Sequence, residues 1–360
     1  MHEDWSAIRF LPNVALEQPL ETSQVALMSC CDERVQGLAH AYPAFGDFLG
    51  KFRDEFGMEL EPTVLLYRSD SPQTIRTLEA LAGFRDLVCI SAVCASYVRD
   101  LLYTGGAGFR FSNAFDFYPW FFGRQYDDTI FVQTASVLGT HNLSELNPQC
   151  SPAFSVLSLQ IHHLDLPLYR GLRRKWEDAF AGEGETQRNR RLFRSLNMAR
   201  AAARMPGGPE VDIYDIGRVI ALWISACEIL IEEGKGSKFK VLKLLNKVDW
   251  KHGSFSEERA HHTLYMKLYN ARNDFLHGKP VSIDTLEVAD DGSNLFKMAA
   301  PLYRCALSAF LSEEGISGRD EGVSQDADAD IIEALRDMEI ERTQMRVEEA
   351  LLKTLPSGTE

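Results

Sequence analysis

Long apolar runs, paired-cysteine motifs and an excess of positive charge are all missing from this chain of 360 residues. No apolar segment approaches the roughly 18 residues that a membrane-spanning helix requires. The start, Met1-His2-Glu3-Asp4, has neither the basic nor the apolar region of a secretory signal. A cytoplasmic protein without membrane contact is therefore expected. The cysteines number seven, an odd count with no Cys-x-x-Cys pair, and most sit in apolar segments. That pattern predicts reduced, buried thiols rather than a disulfide or zinc framework. A formal charge of −14 excludes a protein that coats nucleic acid over its whole surface, because backbone binding relies on Lys and Arg. Gly105-Gly106-Ala107-Gly108 lacks the spacing of a dinucleotide fingerprint and has no Lys-Ser/Thr after it, so it reads as a turn. His162-His163 has no further His or Cys at metal-ligand spacing and reads as a core or surface pair. Neither a metal nor a cofactor is expected.

What is present suits a soluble globular protein: 45% of residues are hydrophobic and 25% charged, enough core material for two domains. The expected fold class is α+β overall and mainly α. An α+β domain over residues 1–185 precedes an all-α helical bundle over 186–312 and an acidic tail over 313–360. In the first domain Thr63–Arg68 reads as a strand and residues 73–103 as a helix, with Leu87, Ile90, Cys94, Tyr97 and Leu101 at helical spacing. The aromatic stretch from Phe109 to Phe131 reads as domain core, since its three aspartates and two arginines make a poor base-stacking surface.

Charge is distributed unevenly along the chain. Arg170 to Arg204 holds ten basic and four acidic residues, whereas residues 312–360 hold fourteen acidic and five basic. The arginines are a solvated face that pairs with acids elsewhere or, alternatively, a phosphate-facing surface. Gly182 to Glu185 reads as the hinge between the halves. Five helices then follow at about 191–205, 212–233, 238–247, 257–277 and 294–311, joined by short loops. In the tail, Asp326–Asp330 reads as a disordered link and Ile331–Leu355 as a peripheral helix.

The fourth of these helices ends Arg272-Asn273-Asp274-Phe275-Leu276-His277, followed by Gly278-Lys279-Pro280. Gly278 is a natural left-handed residue after a helix, and Pro280 prevents its continuation. One account of the motif is structural: His277 interacts favourably with the helix dipole and Arg272 pairs with Glu228 on the second helix. The other is chemical. A proton shuttle, a carboxamide and a fixed cation are the groups that metal-free phosphodiester cleavage needs. Asn273 and His277 are four residues apart and share a helix face, so the carboxamide can orient the imidazole or touch the phosphate. Arg272 lies about 140° further round. One helix cannot easily aim both Arg272 and His277 at one phosphorus, whereas two copies related by a twofold axis can. Lys238, Lys240, Lys243 and Lys247, together with the arginines of 170–204, are the densest basic segments and the expected source of RNA affinity.

Trp223-Ile224-Ser225-Ala226-Cys227-Glu228-Ile229-Leu230, followed some forty residues on by Leu268-Tyr269-Asn270-Ala271 and the Arg272–Gly278 motif, resembles the HEPN superfamily, specifically its ApeA-like branch. The resemblance covers roughly residues 190–312. It implies a helical bundle that forms a homodimer and, in many members, a metal-independent endoribonuclease built on an Arg-x4–6-His motif. By that resemblance His277 and Arg272 are catalytic and Asn273 supports them, with Glu228 and Asp274 as further supporting residues and Lys279 beside the lysines as an RNA contact. It also implies a role in bacterial phage defence or stress. Other members are inactive adaptors or sensors that bind a nucleotide, a nucleic acid or a protein, and that is the alternative reading. The related toxin branch carries a Tyr two residues after the His, where this chain has Lys279.

Overall fold

A computed structural model of the chain describes residues 5–54, 56–103, 108–123, 127–134, 136–147, 149–150, 156–182, 186–204, 212–231, 236–279, 295–312 and 327–355. The expected glycine turn at 105–107, the hinge at 183–185 and Pro280 lie outside these residues. The described residues form two compact units. One contains Met1–Arg85, Asn113–Ile161 and Trp176–Glu183; the other contains Asp86–Ser112, His162–Lys175 and Gly184–Glu360. The mainly helical α+β class is as expected. Residues 86–112 and 162–175, expected with the N-terminal domain, group instead with the helices. The reason is packing: Cys94 Sγ lies 3.7 Å from the Ala300 carbonyl oxygen, and Asp165 is paired with Arg304.

The first unit is built on a four-stranded antiparallel sheet. Its strands are β1 (Trp5–Leu11), β2 (Val14–Leu16), β3 (Leu20–Glu21), β4 (Val25–Ser29), β5 (Phe52–Arg53) and β6 (Thr63–Arg68), of which β1-β6-β4-β3 form the main sheet in that order. β6 is a continuous apolar run rather than an alternation because it is central and buried on both faces, from Thr63 to Tyr67. Helices α1 (Glu33–Ala41) and α2 (Pro43–Leu49) follow β4. Asp32 caps α1 by accepting from the Arg34 amide, and Pro43 opens α2. Further on, β7 (Trp120–Phe122), β8 (Thr129–Gln133) and β9 (Leu138–Asn142) form an antiparallel meander. Two short parallel pairs complete the unit: β10 (Gln149–Cys150) with β5, and β11 (Leu157–Leu159) with β2. Phe10, Phe45, Phe48, Phe52, Tyr118 and Phe122 meet in one core cluster, at ring separations such as 5.0 Å for Phe48 and Phe122. The middle of the aromatic stretch is domain core, as expected.

The second unit takes the later part of α3 (Leu78–Leu102), most of α4 (Leu166–Trp176), and then α5 (Gln187–Ala202), α6 (Ile213–Leu230), α7 (Ser237–Leu245), the short α8 (Gly253–Ser256), α9 (Ala260–Leu276), α10 (Leu295–Ser312) and α11 (Ala327–Leu352). α6 is central, packing on α5, α9 and α10. A capping box between Asp212 and Asp215 starts it. The Ser195 hydroxyl joins three helices, donating to the Ala226 carbonyl at 2.7 Å and sitting 2.6 Å from the Tyr303 hydroxyl.

The C-terminal segment differs from expectation. α11 begins at Ala327, so 327–330 is helical rather than a disordered link. Nor is the end of α11 peripheral. Gln344, Val347, Glu348, Ala350 and Leu351 are buried, and Glu348 accepts the backbone amides of Lys251 and His252 at 2.7–3.0 Å. The polar face of this helix enters the core because its carboxylate finds donors there. Among the described residues Cys30, Cys89, Cys94, Cys227 and Cys305 are buried, as expected, whereas Cys31 is exposed.

Candidate functional site

α9 ends as its sequence dictates. Gly278 has φ +66°, its amide donates to the Phe275 carbonyl at 3.3 Å, and the Lys279 amide donates to the Asp274 carbonyl at 2.9 Å. These two bonds are a Schellman closure, with His277 as the C-cap residue. His277 is exposed there, and its imidazole meets no hydrogen-bond partner among the described residues. Close approach fixes the end of the helix: a Cβ on Gly217 of α6 would lie 2.5 Å from the Phe275 ring.

Arg272 is held from two sides. Its Nη1 donates to Asn273 Oδ1 at 3.0 Å, and its Nη2 lies 3.6 Å from Glu228 Oε2. Glu228 is itself fixed by the Ser237 hydroxyl, which donates to its Oε1 at 2.7 Å. The anticipated Arg272–Glu228 pair is thus formed, though too long for a hydrogen bond. Both side chains are partly open, at 23% and 19% exposure. Arg272 Nε is buried without a partner. The guanidinium lies 5.8 Å from the centre of the Tyr269 ring, so it leans back along α9, away from the C-cap. The Asn273 carboxamide oxygen serves Arg272 rather than His277.

Behind this cluster the unit is apolar. Burial, then Cys227 and Glu228, raises the Tyr265 hydroxyl far above its ordinary pKa, and that hydroxyl has no hydrogen-bond partner. It cannot act as a base near neutral pH.

The lysines divide between different places. Lys238 lies 5.8 Å from the centre of the Tyr269 ring that Arg272 also faces, which puts the start of α7 beside the motif. Lys279 is paired with Asp274 at 2.8 Å. Lys243 is exposed on α7. Lys247, past the other end of α7, lines a separate cavity of about 420 Å³. Lys240 lies on the intervening turns of α7. Within the Arg170–Arg204 stretch, Arg170 pairs with Glu339, Arg200 with Asp86 at 3.0 Å, and Arg188 donates to the Phe310 carbonyl, while Arg194 is exposed. The Arg170–Glu339 contact joins the basic stretch to the acidic tail.

Two constellations escaped the sequence reading. His261 and His262 both place Nε2 against Asn246 Oδ1, at 2.9 and 2.6 Å, with His261 stacked on Trp250 at 4.8 Å. Burial, then His262 and Arg259, lowers His261 to about 4. Asp165, Arg304, Gln344 and Glu348 form a continuous buried chain, with Arg304 Nε 2.8 Å from Asp165 and Arg304 Nη1 2.7 Å from Gln344. Arg304 gave no signal because it sits among Tyr303, Cys305 and Leu307 in a helix buried on all sides. Among the described residues no group of three His, Cys, Asp or Glu is arranged to hold a metal, and no helix is long and apolar enough to cross a membrane.

Comparison with protein-family models, with curated proteins and with solved structures finds no match for this chain.

Proposed function

We propose that the second unit is a HEPN-type bundle acting as a metal-independent endoribonuclease, with two motif helices from a homodimer forming one site. The observation that carries this reading is the state of Arg272: a partly open guanidinium, oriented by Asn273 and Glu228, on the helix whose exposed cap is His277. A carboxylate 3.6 Å away is exchangeable for a phosphate oxygen, which offers the planar fork a closer, bidentate partner. The backward lean of Arg272 over Tyr269 and the position of His277 at the other end of the same turns separate the two within one chain. A twofold partner supplies the missing proximity and a second histidine. His277 then takes the proton of the ribose 2′-hydroxyl, the partner's copy of the same histidine protonates the departing 5′-oxygen, and the arginines hold the charged phosphate.

The test is incubation of the purified chain with total RNA in EDTA. Fragments ending in 2′,3′-cyclic phosphate, produced by wild type and not by His277→Ala, are expected. Cleavage that persists in His277→Ala rejects the assignment.

A second reading, a non-catalytic adaptor of the same bundle, is favoured by one fact: the Arg272–Glu228–Ser237 contacts are also those of a structural pair. A defence role in bacteria belongs to the resemblance and is proposed on that ground alone.

A further inference from the structure

A recess of about 390 Å³ in the second unit is lined by Arg99 of α3, His162, Asp165, and Glu339, Arg342 and Arg346 of α11. Its two acids are already engaged. Glu339 pairs with Arg170, while Asp165 takes Arg304 Nε at one oxygen and the Leu168 amide at the other. None of its three arginines has a carboxylate within 4 Å among the described residues. Arg99 is held only by the neutral carbonyls of His162 and His163, at 3.2 and 3.5 Å. Arg342 and Arg346 stand four residues apart, the spacing at which like charges repel along a helix. Burial, and after it Arg346, lowers the pKa of Arg99, so the cation carries an uncompensated cost.

The 420 Å³ cavity behaves differently. There Lys251 lies 2.6 Å from Asp249 and 3.9 Å from Glu341, and Arg304 is paired with Asp165. A chain with fourteen more acidic than basic residues could readily supply such partners to any cation. Arg342 and Arg346 are exposed and Arg99 half-buried in this one concavity, so an external anion can reach all three cations.

We propose that this recess binds a phosphate group, carried by a nucleotide or by a nucleic-acid backbone, through Arg99, Arg342 and Arg346. Planar guanidinium forks suit phosphate oxygens better than a chloride or a lone carboxylate. The proposal is independent of ribonuclease activity, because none of these residues belongs to the α9 motif.

Isothermal titration of the full chain with inorganic tripolyphosphate tests it, followed by competition with ATP and with a 5′-hydroxyl oligothymidylate. One site per chain is expected. R342Q/R346Q should weaken it by more than about tenfold, whereas R218Q/K267Q, with the same loss of charge on other helices, should change it by less than about twofold. The ligand-free melting temperature of R342Q/R346Q should be unchanged or higher, since a repulsion is removed. Displacement by ATP assigns a nucleotide; displacement by the oligothymidylate assigns a backbone. Non-saturable binding, equal weakening in both double variants, or displacement by neither competitor overturns the proposal.

Discussion

Arg304 and Arg272 both face a carboxylate and a carboxamide within the helical unit, yet the two clusters differ in kind. Arg304 and Asp165 are each 3% exposed and 2.8 Å apart, and the chain continues through Gln344 and Glu348 to backbone amides. Every member has its partner within the fold. Arg272 and Glu228 are about one-fifth exposed, 3.6 Å apart, with Arg272 Nε buried and unbonded. A closed network holds the fold in one arrangement, while an open, loosely paired one is ready for an external anion. Burial and satisfaction separate the structural arginine from the candidate functional one more clearly than residue type does.

The largest effect expected is at the closed network. Arg304→Met leaves the Asp165 carboxylate buried and uncompensated and should cost about 3–5 kcal/mol, read as a lower urea midpoint or as loss of soluble protein. Retention of wild-type stability would remove the distinction between the two clusters.

Next in size is the contact that places the motif. Gly217→Ala drives a methyl to 2.5 Å from the Phe275 ring, so the end of α9 must shift, at a cost of about 1–3 kcal/mol. The same variant should lower RNA cleavage by more than its stability loss explains, since His277 lies two residues beyond Phe275.

Acidity probes the bundle beyond either arginine. His261 titrates near 4 in the folded chain, well below its unfolded value, because burial disfavours the imidazolium. Between about pH 6.5 and 4 the unfolded chain therefore binds the additional proton, and stability falls as pH falls through that window. The slope should stay below about 1.4 kcal/mol per pH unit for this residue and should flatten in His261→Gln. An unchanged slope in that variant places the acid sensitivity elsewhere.

Much of this was legible in the sequence because local rules and packing agree. The strand Thr63–Arg68, the five helices and the Gly278 closure each follow from apolar spacing or from a residue needing positive φ. The Glu228–Arg272 pair was also legible, from two motifs on adjacent helices. The sheet in residues 5–53 was not, since its strands are two to seven residues long and interrupted by Pro12 and Pro19. Arg304 and Glu348 were illegible for another reason. A buried ion pair satisfied by partners 40 to 139 residues distant leaves no periodic trace. The same holds for the arginine recess, which joins α3 to α11 only in three dimensions.

The smallest stability change belongs to the open cluster. Arg272→Ala should lower stability by no more than about 1 kcal/mol, the range of partly exposed ion pairs, while abolishing cleavage. Marked destabilisation would instead favour the adaptor reading, in which the pair serves the fold alone.

Mixing the wild-type chain with increasing His277→Ala chain, under conditions where subunits exchange, tests the composite site most directly. Two motif helices sharing one site predict that cleavage falls well below the fraction of wild-type chain as mixed dimers form. Cleavage that stays proportional to the wild-type chain would contradict the account.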